Sequence, residues 1–569
     1  MATTMTTQLG RRIVIDADGE KIFMIRRKHP IVILPEHCQD VVVKKEIKKA
    51  NNKRKKTTIA TPINDVNKSS FVFQQQFIIE ELSGLLGHQD MNNLLQTTPK
   101  LKELKKMFFY WTLNEEYSDK CLQNSDFREF VNTRMNQPQR QLSLKMSHNI
   151  PVTGENAKNI ANCHTVNMNF NTHVTDEGIK HLGNCHTLKL YGCVITDEGI
   201  KHLGNCHTLL MNRCANITNE GIKHLGNCHT LDLTLSCITD EGLKHLGNCH
   251  TLDFDSCYIT DEGVKHLGNC HTLSLRRCDN VTDEGIRHLG NCHTLFCCSN
   301  VTDEGAKHLG NCVNLNLSYC KITIEGLKHL GNCHTLNLSY CKKISAEGLK
   351  HLAKCHTLNL THSCFDNEGL KYLGNCHTLI MSNTFVTDEG LKYLGNCHTL
   401  DLYYCSKVTD DGVKYLGNCN TLNLSLCSKV TDEGVKHLGN CHTLSLSRCY
   451  NVTDEGVKHL GNCHTLSLSG CCITNEGIKH LGNCHTLDLN SNNKISNKGV
   501  KFLENCRTLD LSYCNKITDT AIKYLRNCSE LNLTFCDKIT DDVIKYIGKI
   551  KKCRAPGLSF SKKYRYINN

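Results

Sequence analysis

Cysteine and histidine recur together at a fixed spacing through most of the 569 residues. One copy of the motif places His181, Cys185 and His186 within six residues. Thiolate and imidazole are preferred ligands of zinc, and paired thiols can also sense oxidants. With 38 cysteines and 32 histidines, the chain has three chemical interpretations: a metal array, a redox sensor and a structural repeat.

Variation between the copies favours the structural repeat. The first histidine of the motif becomes another aromatic residue in six copies, at Tyr372, Tyr393, Tyr415, Phe502, Tyr524 and Tyr546. The second histidine is replaced at Val313, Asn420, Arg507 and Ser529. Tyrosine and phenylalanine conserve a packing ring rather than a zinc ligand, so we expect no bound metal and no other cofactor. Neighbouring imidazoles would repel one another once protonated, which predicts a pH-dependent stability.

The cysteines divide into two series. Eighteen form the first series, just before each strand-like segment: Cys163, Cys185, Cys206, Cys228, Cys249, Cys270, Cys292, Cys312, Cys333, Cys355, Cys376, Cys397, Cys419, Cys441, Cys463, Cys484, Cys506 and Cys528. Fifteen form the second series, after it: Cys193, Cys214, Cys237, Cys257, Cys278, Cys298, Cys320, Cys341, Cys364, Cys405, Cys427, Cys449, Cys471, Cys514 and Cys536. Asparagine, which can also bond to backbone in a turn, replaces the second cysteine at Asn171 and Asn492. We therefore expect two structural ladders of small buried side chains.

The repeated phrase is T-D-E-G-I-K-H-L-G-N-C-H-T-L-x-L-x-x-C, with a mean period of about 21.5 residues. In one copy Leu336 and Leu338 alternate with polar residues, which predicts a short strand with one buried face. Ser345 can cap a short helix that ends near a glycine in most copies. One such unit cannot bury its apolar face alone, so the copies must stack into a solenoid.

The L-x-L-x-x-C-x-x-I-T-D pattern resembles the cysteine-containing leucine-rich repeats of F-box substrate receptors. The near-identical tandem copies also resemble arrays encoded by giant viruses of amoebae. The resemblance covers about 70% of the chain, and a cysteine replaces the first leucine of the usual family unit. It implies an α/β leucine-rich repeat solenoid, with a parallel β-sheet on the concave face and short helices on the convex face.

Composition and charge exclude several classes of protein. No secretory signal, no run of about 18 apolar residues and no G-x-S-x-G, P-loop or H-E-x-x-H motif is present, so we expect neither a membrane span nor enzyme activity. We expect a monomer with reduced thiols in the cytoplasm or nucleus, which would be the host's if the chain is viral.

The net charge of +11 divides into +8 in residues 1–150, −4 in the array and +7 in residues 549–569. An acidic array is a poor phosphate-binding surface, which leaves tethering to nucleic acid through the basic ends as a third class of function.

Six segments are expected along the chain. Residues 1–42 are β-prone and of unknown role, 43–70 form a basic polar linker, and 71–120 form a helical region. A connector or cap at 121–150 leads into about 18 repeats at 151–548 and a basic tail at 549–569. The basic run 44–56 is either a nuclear localisation signal or a solvated linker.

Residues 71–117 have the pattern of three short amphipathic helices and resemble an F-box, the module that docks onto the Skp-type adaptor of cullin-RING ubiquitin ligases. The resemblance implies adaptor docking by Leu82, Leu85, Leu86, Met91, Leu94, Leu95 and Trp111. Ile78-Ile79-Glu80-Glu81 stands in place of the usual Leu-Pro opening, and the alternative is a helical cap over the first repeat.

The sheet face of such a solenoid carries small polar residues in most copies, so its larger or charged departures are the candidate binding residues. These are Tyr191, Asp232, Asp253, Asp255, Arg276, Phe296, Ile380, Tyr403 and Tyr404. Aromatic residues and arginine are typical anchors of protein interfaces. We therefore expect a protein-interaction adaptor of the F-box/leucine-rich repeat type, which holds a protein target on the concave face for a Skp-cullin ubiquitin ligase. The alternative is a scaffold or decoy that binds protein without a ligase.

Overall fold

The structure is a computed structural model that describes residues 110–131 and 141–555, except 125, 130, 526, 547–549 and 551, and the backbone of four strands between residues 3 and 32. The chain divides into two compact units, of which the second contains residues 114–124 and all the repeats. In the first unit, four strands pair antiparallel in chain order: β1 Thr3–Thr6, β2 Arg12–Ile15, β3 Ile22–Arg26 and β4 His29–Val32. Strand β5 (Tyr110–Leu113) pairs parallel with β6 (Gln141–Lys145).

The repeats form the predicted leucine-rich repeat solenoid, in which each strand pairs parallel with the next strand of the chain. The strands are β7 Thr165–Asn167, β8 Thr187–Lys189, β9 Thr208–Leu210, β10 Thr230–Asp232, β11 Thr251–Asp253, β12 Thr272–Ser274, β13 Thr294–Phe296, β14 Asn314–Asn316, β15 Thr335–Asn337, β16 Thr357–Asn359, β17 Thr378–Ile380, β18 Thr399–Asp401, β19 Thr421–Asn423, β20 Thr443–Ser445, β21 Thr465–Ser467, β22 Thr486–Asp488, β23 Thr508–Asp510, β24 Glu530–Asn532 and β25 Lys552–Arg554. The register never slips, so each central leucine lies beside the central leucine of the next strand, as Leu336 lies beside Leu358.

Short helices alternate with the strands. The α-helices are α1 Glu115–Gln123, α2 Asp176–Ile179, α3 Asp197–Ile200, α4 Asn219–Ile222, α5 Asp240–Leu243, α6 Asp261–Val264, α7 Asp283–Ile286, α8 Asp303–Ala306, α9 Ile324–Leu327, α10 Ala346–Leu349, α11 Asp388–Leu391, α12 Asp410–Val413, α13 Asp432–Val435, α14 Asp454–Val457, α15 Asn475–Ile478 and α16 Asn497–Val500. The 3₁₀ helices are Ala157–Ile160, Lys180–Leu182, Lys265–Leu267, Lys350–Leu352, Asn367–Tyr372, Lys501–Leu503, Asp519–Tyr524 and Asp541–Lys545. Within the described residues, none of these helices has the length and apolar character needed to cross a membrane.

The core lies between the sheet and the helices. Leu336, Leu338, Leu349 and Leu352 of the repeat used above are all fully buried, as the alternating pattern predicts. Their equivalents repeat along the array, so the apolar core is one continuous column rather than a series of separate cores.

The glycine after the last core leucine has a role that differs from the predicted helix stop. Gly183 has a φ of −62°, which any residue can adopt. A Cβ added at Gly183 would lie 2.2 Å from the carbonyl oxygen of His202 in the next repeat. The glycine is therefore required because successive repeats approach closely at this position, not because the helix needs a left-handed residue to end.

A ladder of charge-assisted hydrogen bonds joins the helix starts. The Asp176 carboxylate accepts hydrogen bonds from the backbone N–H of Thr196 at 2.9 Å and from its hydroxyl at 2.6 Å. Ten further aspartates accept the same two bonds from the helix-capping threonine of the next repeat: Asp197, Asp240, Asp261, Asp283, Asp303, Asp388, Asp410, Asp432, Asp454 and Asp519. Ile324 and Ala346 interrupt this aspartate ladder in two consecutive repeats. The ladder ties the threonine that caps one helix to the preceding repeat.

Replacing Asp432 by alanine is expected to lower the free energy of unfolding by about 2 kcal/mol, since two hydrogen bonds to a charged group are lost. Asp432→Asn is the matched control, with a smaller expected loss of about 1 kcal/mol, because asparagine keeps two bonds to the threonine but that threonine then no longer caps its helix, as at Thr239. Asn219 shows why: its side chain accepts from Thr239 N–H at 3.1 Å and donates to Thr239 Oγ1 at 2.7 Å. Urea unfolding followed by circular dichroism measures both changes, and equal midpoints for Asp432→Ala and the parent chain would contradict the ladder's role.

Candidate protein-binding face and histidine rows

The candidate binding residues lie on the outward side of the strands and on the turn that follows. Each repeat strand buries its central residue and leaves the two flanking residues partly exposed in nearly every copy. Four candidates occupy the last position of a strand: Asp232, Asp253, Phe296 and Ile380. The other five occupy the turn after the strand: Tyr191, Asp255, Arg276, Tyr403 and Tyr404.

Three carboxylates form a local acidic cluster. Asp232 and Asp253 are register partners in β10 and β11, and Asp255 follows in the turn. Asp232 accepts the N–H of Thr234 and Asp253 accepts the N–H of Asp255, both at 3.0 Å, so each carboxylate also holds its turn. Burial, with a smaller contribution from the other two carboxylates, raises the pKa of Asp232.

The structure brings several candidates together in pairs. The Arg276 guanidinium lies 4.2 Å from the ring centroid of Phe296, within cation–π distance. Tyr403 and Tyr404 have ring centroids 6.5 Å apart and are 43% and 49% exposed. Ile380 lies beside Asp401 in the sheet and joins neither pair.

The turn contains a row of left-handed residues, two positions after the second apolar residue of the L-x-L segment, of which the sequence predicts only Tyr404 as a binding residue. Fifteen non-glycine residues here have φ between 54° and 67°: Phe170, Arg213, Leu235, Ser256, Arg277, Tyr319, Tyr340, His362, Asn383, Tyr404, Leu426, Arg448, Ser491, Tyr513 and Phe535. We call them the turn row. Rings stack along it, with centroids 4.4 Å apart for Tyr319 and Tyr340 and 4.6 Å apart for Tyr513 and Phe535. The turn row is therefore an exposed edge rich in aromatic residues and arginine.

The two halves of the sheet face differ in how their polar groups are satisfied. From β18 onward, side chains bond one another across strands, for example Ser425 to Ser445 and Ser447 to Ser467, both at 2.7 Å. Between β8 and β13 the charged residues Lys189, Arg213, Asp232, Asp253, Asp255, Arg276 and Arg277 form no ion pair with any described residue. The N-terminal part of the face thus presents charges that a partner can pair.

The second cysteine series forms a hydrogen-bonded ladder, with a correction at two of its members. Cys427 Sγ donates to the carbonyl of Leu402 at 3.2 Å, and Asn492 Nδ2 donates to the equivalent carbonyl of Leu468 at 2.8 Å. Assigning Cys237 and Cys364 to this ladder is wrong: both are exposed. The adjacent Ser236 and Ser363 occupy the buried position instead, because position relative to the leucines, not residue type, decides which side chain points inward.

Burial makes most of the thiols unreactive. It raises the pKa of Cys185 to about 12 and that of Cys249 to about 11, far from the values at which thiolates form near neutral pH. In the described part of the chain, no group of three or more histidine, cysteine or acidic residues has an arrangement that could hold a metal ion. Most of the described thiols are therefore held by packing and hydrogen bonding.

The second histidines of the motif stack on one another in three rows. Row 1 contains His164, His186, His207, His229, His250, His271 and His293. Row 2 contains His334, His356, His377 and His398, and row 3 contains His442, His464 and His485. Consecutive ring centroids are 4.3–4.6 Å apart and the ring planes differ by 11–15°. The rows end where Val313, Asn420 and Arg507 replace histidine.

Each row histidine is anchored at one nitrogen and is exposed or half-buried. Nδ1 shares a hydrogen bond with Oγ1 of the following threonine, at 3.2 Å for His186 and Thr187. Partial burial, together with the neighbouring imidazoles of the row, lowers the pKa of His186, His229 and His271. At these three positions the folded array therefore disfavours the charged imidazolium.

At pH 7.5, a maleimide is expected to label Cys237, Cys364 and Cys472 first among the described cysteines, because the other described thiols are buried. Peptide mapping after a short reaction measures the labelling, and the same reaction in urea supplies the fully exposed control. Fast labelling of a ladder member such as Cys427 would contradict the buried arrangement.

The row histidines are expected to make the array less stable at pH 5.0 than at pH 7.5. The folded-state pKa of His186, His229 and His271 lies below the unfolded value of about 6.5, so the unfolded chain binds more protons as the pH falls through that value. The melting temperature should therefore decrease once the pH is lower than about 6.5. Replacing His207 and His229 by asparagine, the residue at Asn420, should make this decrease smaller. An identical pH dependence in both chains, measured by calorimetry, would rule out this contribution.

Comparisons with known proteins agree with this architecture. The family model described as "Leucine Rich repeat" matches residues 229–247, 334–353, 464–482, 485–503 and 507–525. No curated protein matches the chain in sequence. The crystal structure of the TLR13–ssRNA13 complex is similar with a TM-score of 0.56 at 19% identity, over 73% of this chain and 70% of that one. The comparison with an internalin, InlF from Listeria monocytogenes str. 4b F2365, gives a TM-score of 0.36 at 18% identity, over 65% of this chain and 97% of that one. The chain is built of leucine-rich repeats.

Proposed function

We propose that the chain is a protein-binding adaptor that holds a protein target on the sheet face between β8 and β13 and on the adjoining turn row. The observation that carries this proposal is the contrast between the two halves of the face. From β18 onward the face carboxylates accept hydrogen bonds from side chains of neighbouring strands, as Asp401 does from Asn423 and Asp488 from Ser467. Among the described residues, Asp232 and Asp253 accept only from their own turns, and the charges between β8 and β13 have no ion-pair partner. Charges left unpaired beside exposed rings suit a partner that supplies the opposite charges.

The arrangement also indicates the chemistry of the target. The acidic cluster favours a basic side chain, and Arg276 and Arg277 one repeat further on favour an acidic one. Arg276 over Phe296 and Arg213, 5.7 Å from the Tyr191 ring, add apolar area beside those charges. Tyr403 and Tyr404, with Ile380 one strand away, form a second patch that extends the contact along the array.

We further propose that residues 71–117 recruit a Skp-type adaptor, which would make the chain a substrate receptor of a ubiquitin ligase. The support is the sequence resemblance to an F-box. Leu82, Leu85, Leu86, Met91, Leu94 and Leu95 lie outside the described residues, and Trp111 lies in β5. The runner-up is a scaffold or decoy that binds the target without a ligase.

The helix that follows this segment belongs to the array and must be kept in any deletion. Ser118 Oγ in α1 accepts the N–H of Lys145 at 3.0 Å, and Asp119 accepts the N–H of Ser147 at 3.2 Å. Asn159, in the 3₁₀ helix before β7, donates to the carbonyl of Leu122 at 3.4 Å. Helix α1 therefore covers the start of the repeats, and residues 71–109 are the segment to remove.

Affinity purification with three baits tests both proposals. The full chain is expected to bind a purified Skp-type adaptor and a cellular target, and the chain lacking residues 71–109 should lose only the adaptor. A triple variant, Asp232→Asn, Asp253→Asn and Asp255→Ser, should bind the target about tenfold more weakly and keep the adaptor. These replacements match residues such as Asn316, Asn337 and Ser318 in other repeats, so folding should be retained.

A control variant, Ser445→Asn in the hydrogen-bonded half of the face, is expected to leave target binding unchanged. If the adaptor never binds the full chain, the ligase proposal is wrong and the scaffold alternative holds. If the target binds the triple variant as tightly as the parent chain, the assignment of the face is wrong.

A further inference from the structure

Row 1 offers a different kind of surface from the protein-binding face. Its seven imidazoles lie side by side with centroid spacings of 4.3–4.5 Å and nearly parallel planes. From His186 onward, Nε2 has no hydrogen-bond partner among the described residues, while Nδ1 bonds the neighbouring threonine. The row therefore presents a line of ring nitrogens at a regular spacing.

The stacking limits what such a line can bind. Parallel rings direct their nitrogen lone pairs in parallel, whereas a zinc ion needs ligands that converge on one point. The ring faces are covered by their neighbours, so the row offers no free face between its ends on which a nucleic-acid base could stack. What remains is the exposed edge, which is a hydrogen-bond acceptor when neutral and a charged N–H donor when protonated.

The groups around row 1 do not already neutralise that edge. On the strand side, the charged residues at the last strand positions are Lys189, Asp232 and Asp253, of mixed sign. On the helix side, lysines such as Lys201 and Lys223 are paired with glutamates of their own helices. The helix side also carries the aspartates of the ladder, such as Asp197 and Asp240, and the first histidines of the motif: His181, His202, His224, His245, His266 and His288.

We propose that protonated row 1 binds an extended, base-free chain of phosphate groups, with inorganic polyphosphate as the representative ligand. Seven imidazolium groups in a line would supply N–H donors and positive charge to successive phosphates. With neutral histidines the array carries a net charge of −4 and repels phosphate. Row 1 therefore attracts phosphate only after its rings gain protons in acid. Bound phosphates would also relieve the repulsion between the rings, so ligand binding and proton uptake must favour each other.

Fluorescence anisotropy with labelled inorganic polyphosphate and the full chain tests this proposal at pH 5.5 and pH 7.5. We expect binding about tenfold tighter at pH 5.5, with an affinity that falls as salt rises. Replacing all seven row-1 histidines by asparagine should remove most of the gain at pH 5.5, since rows 2 and 3 are shorter, and leave the binding at pH 7.5 unchanged. Any pH-independent binding through the basic chain ends is common to both proteins and cancels in this comparison.

The matched control removes an equal number of histidines from the helix side. Replacing His181, His202, His224, His245, His266, His288 and His308 by tyrosine, as at Tyr372 and Tyr393, should keep the gain at pH 5.5. If the seven-residue variant of row 1 fails to fold, the double variant His207→Asn with His229→Asn is measured instead. It divides row 1 and should give an intermediate gain in affinity at pH 5.5.

Three results would overturn the proposal. The first is no gain in affinity at pH 5.5, and the second is an equal gain in the parent chain and the row-1 variant. The third is tighter binding of an oligodeoxythymidylate than of polyphosphate of equal charge, which would mean that bases are recognised. Orthophosphate is expected to compete only weakly, because a single phosphate contacts only a short part of the row.

Discussion

The constraint on which the structure depends is the invariant register between neighbouring repeats. Strands of a parallel sheet are about 4.8 Å apart, and here every strand pairs with the next one without a slip. A side chain therefore meets the same side chain of the neighbouring repeats on both sides. Each position of the repeat becomes a continuous row, and the residue type at that position must be compatible with itself.

Each row satisfies this requirement by a different physical means. The second cysteine series donates to a carbonyl of the preceding repeat, so identical neighbours never compete for the same acceptor. Aspartates at the helix starts avoid mutual repulsion because each accepts two hydrogen bonds from the next threonine. Histidines stack while neutral, and their compatibility depends on pH because protonated neighbours would repel one another. The rows thus explain why residues that look reactive in the sequence are structural in the array.

The fold could be predicted from the sequence because the period and the L-x-L alternation are direct consequences of stacking. The orientation of side chains within a turn could not be predicted, because the turns differ in length and residue type alone does not show which side chain points inward. Cys237 and Cys364 were misassigned since an adjacent serine takes the inward position. The turn row was not predicted because most of its left-handed residues, such as Tyr319 and Arg448, are not glycine; the glycine signal stands in only two copies, at Gly192 and Gly470. The roles of Gly183 and Asp432 depend on contacts between repeats, which one copy of the motif does not contain.

Interruptions of the rows carry the information that the near-identical repeats lack. Several fall in one stretch: the turn at Cys298 is two residues shorter than its predecessor, Val313 ends row 1, and Ile324 and Ala346 break the aspartate ladder. The 3₁₀ helix Asn367–Tyr372 follows where other repeats have an α-helical turn. On the N-terminal side of this stretch the face carries unpaired charges, and from β18 onward its polar groups bond each other. Regular rows maintain the scaffold, so residues that suit a particular partner fit only where a row accepts a different side chain. Between β8 and β13 the outward residues range from Lys189 to Asp232 and Phe296, yet these strands keep the same register as the rest of the array.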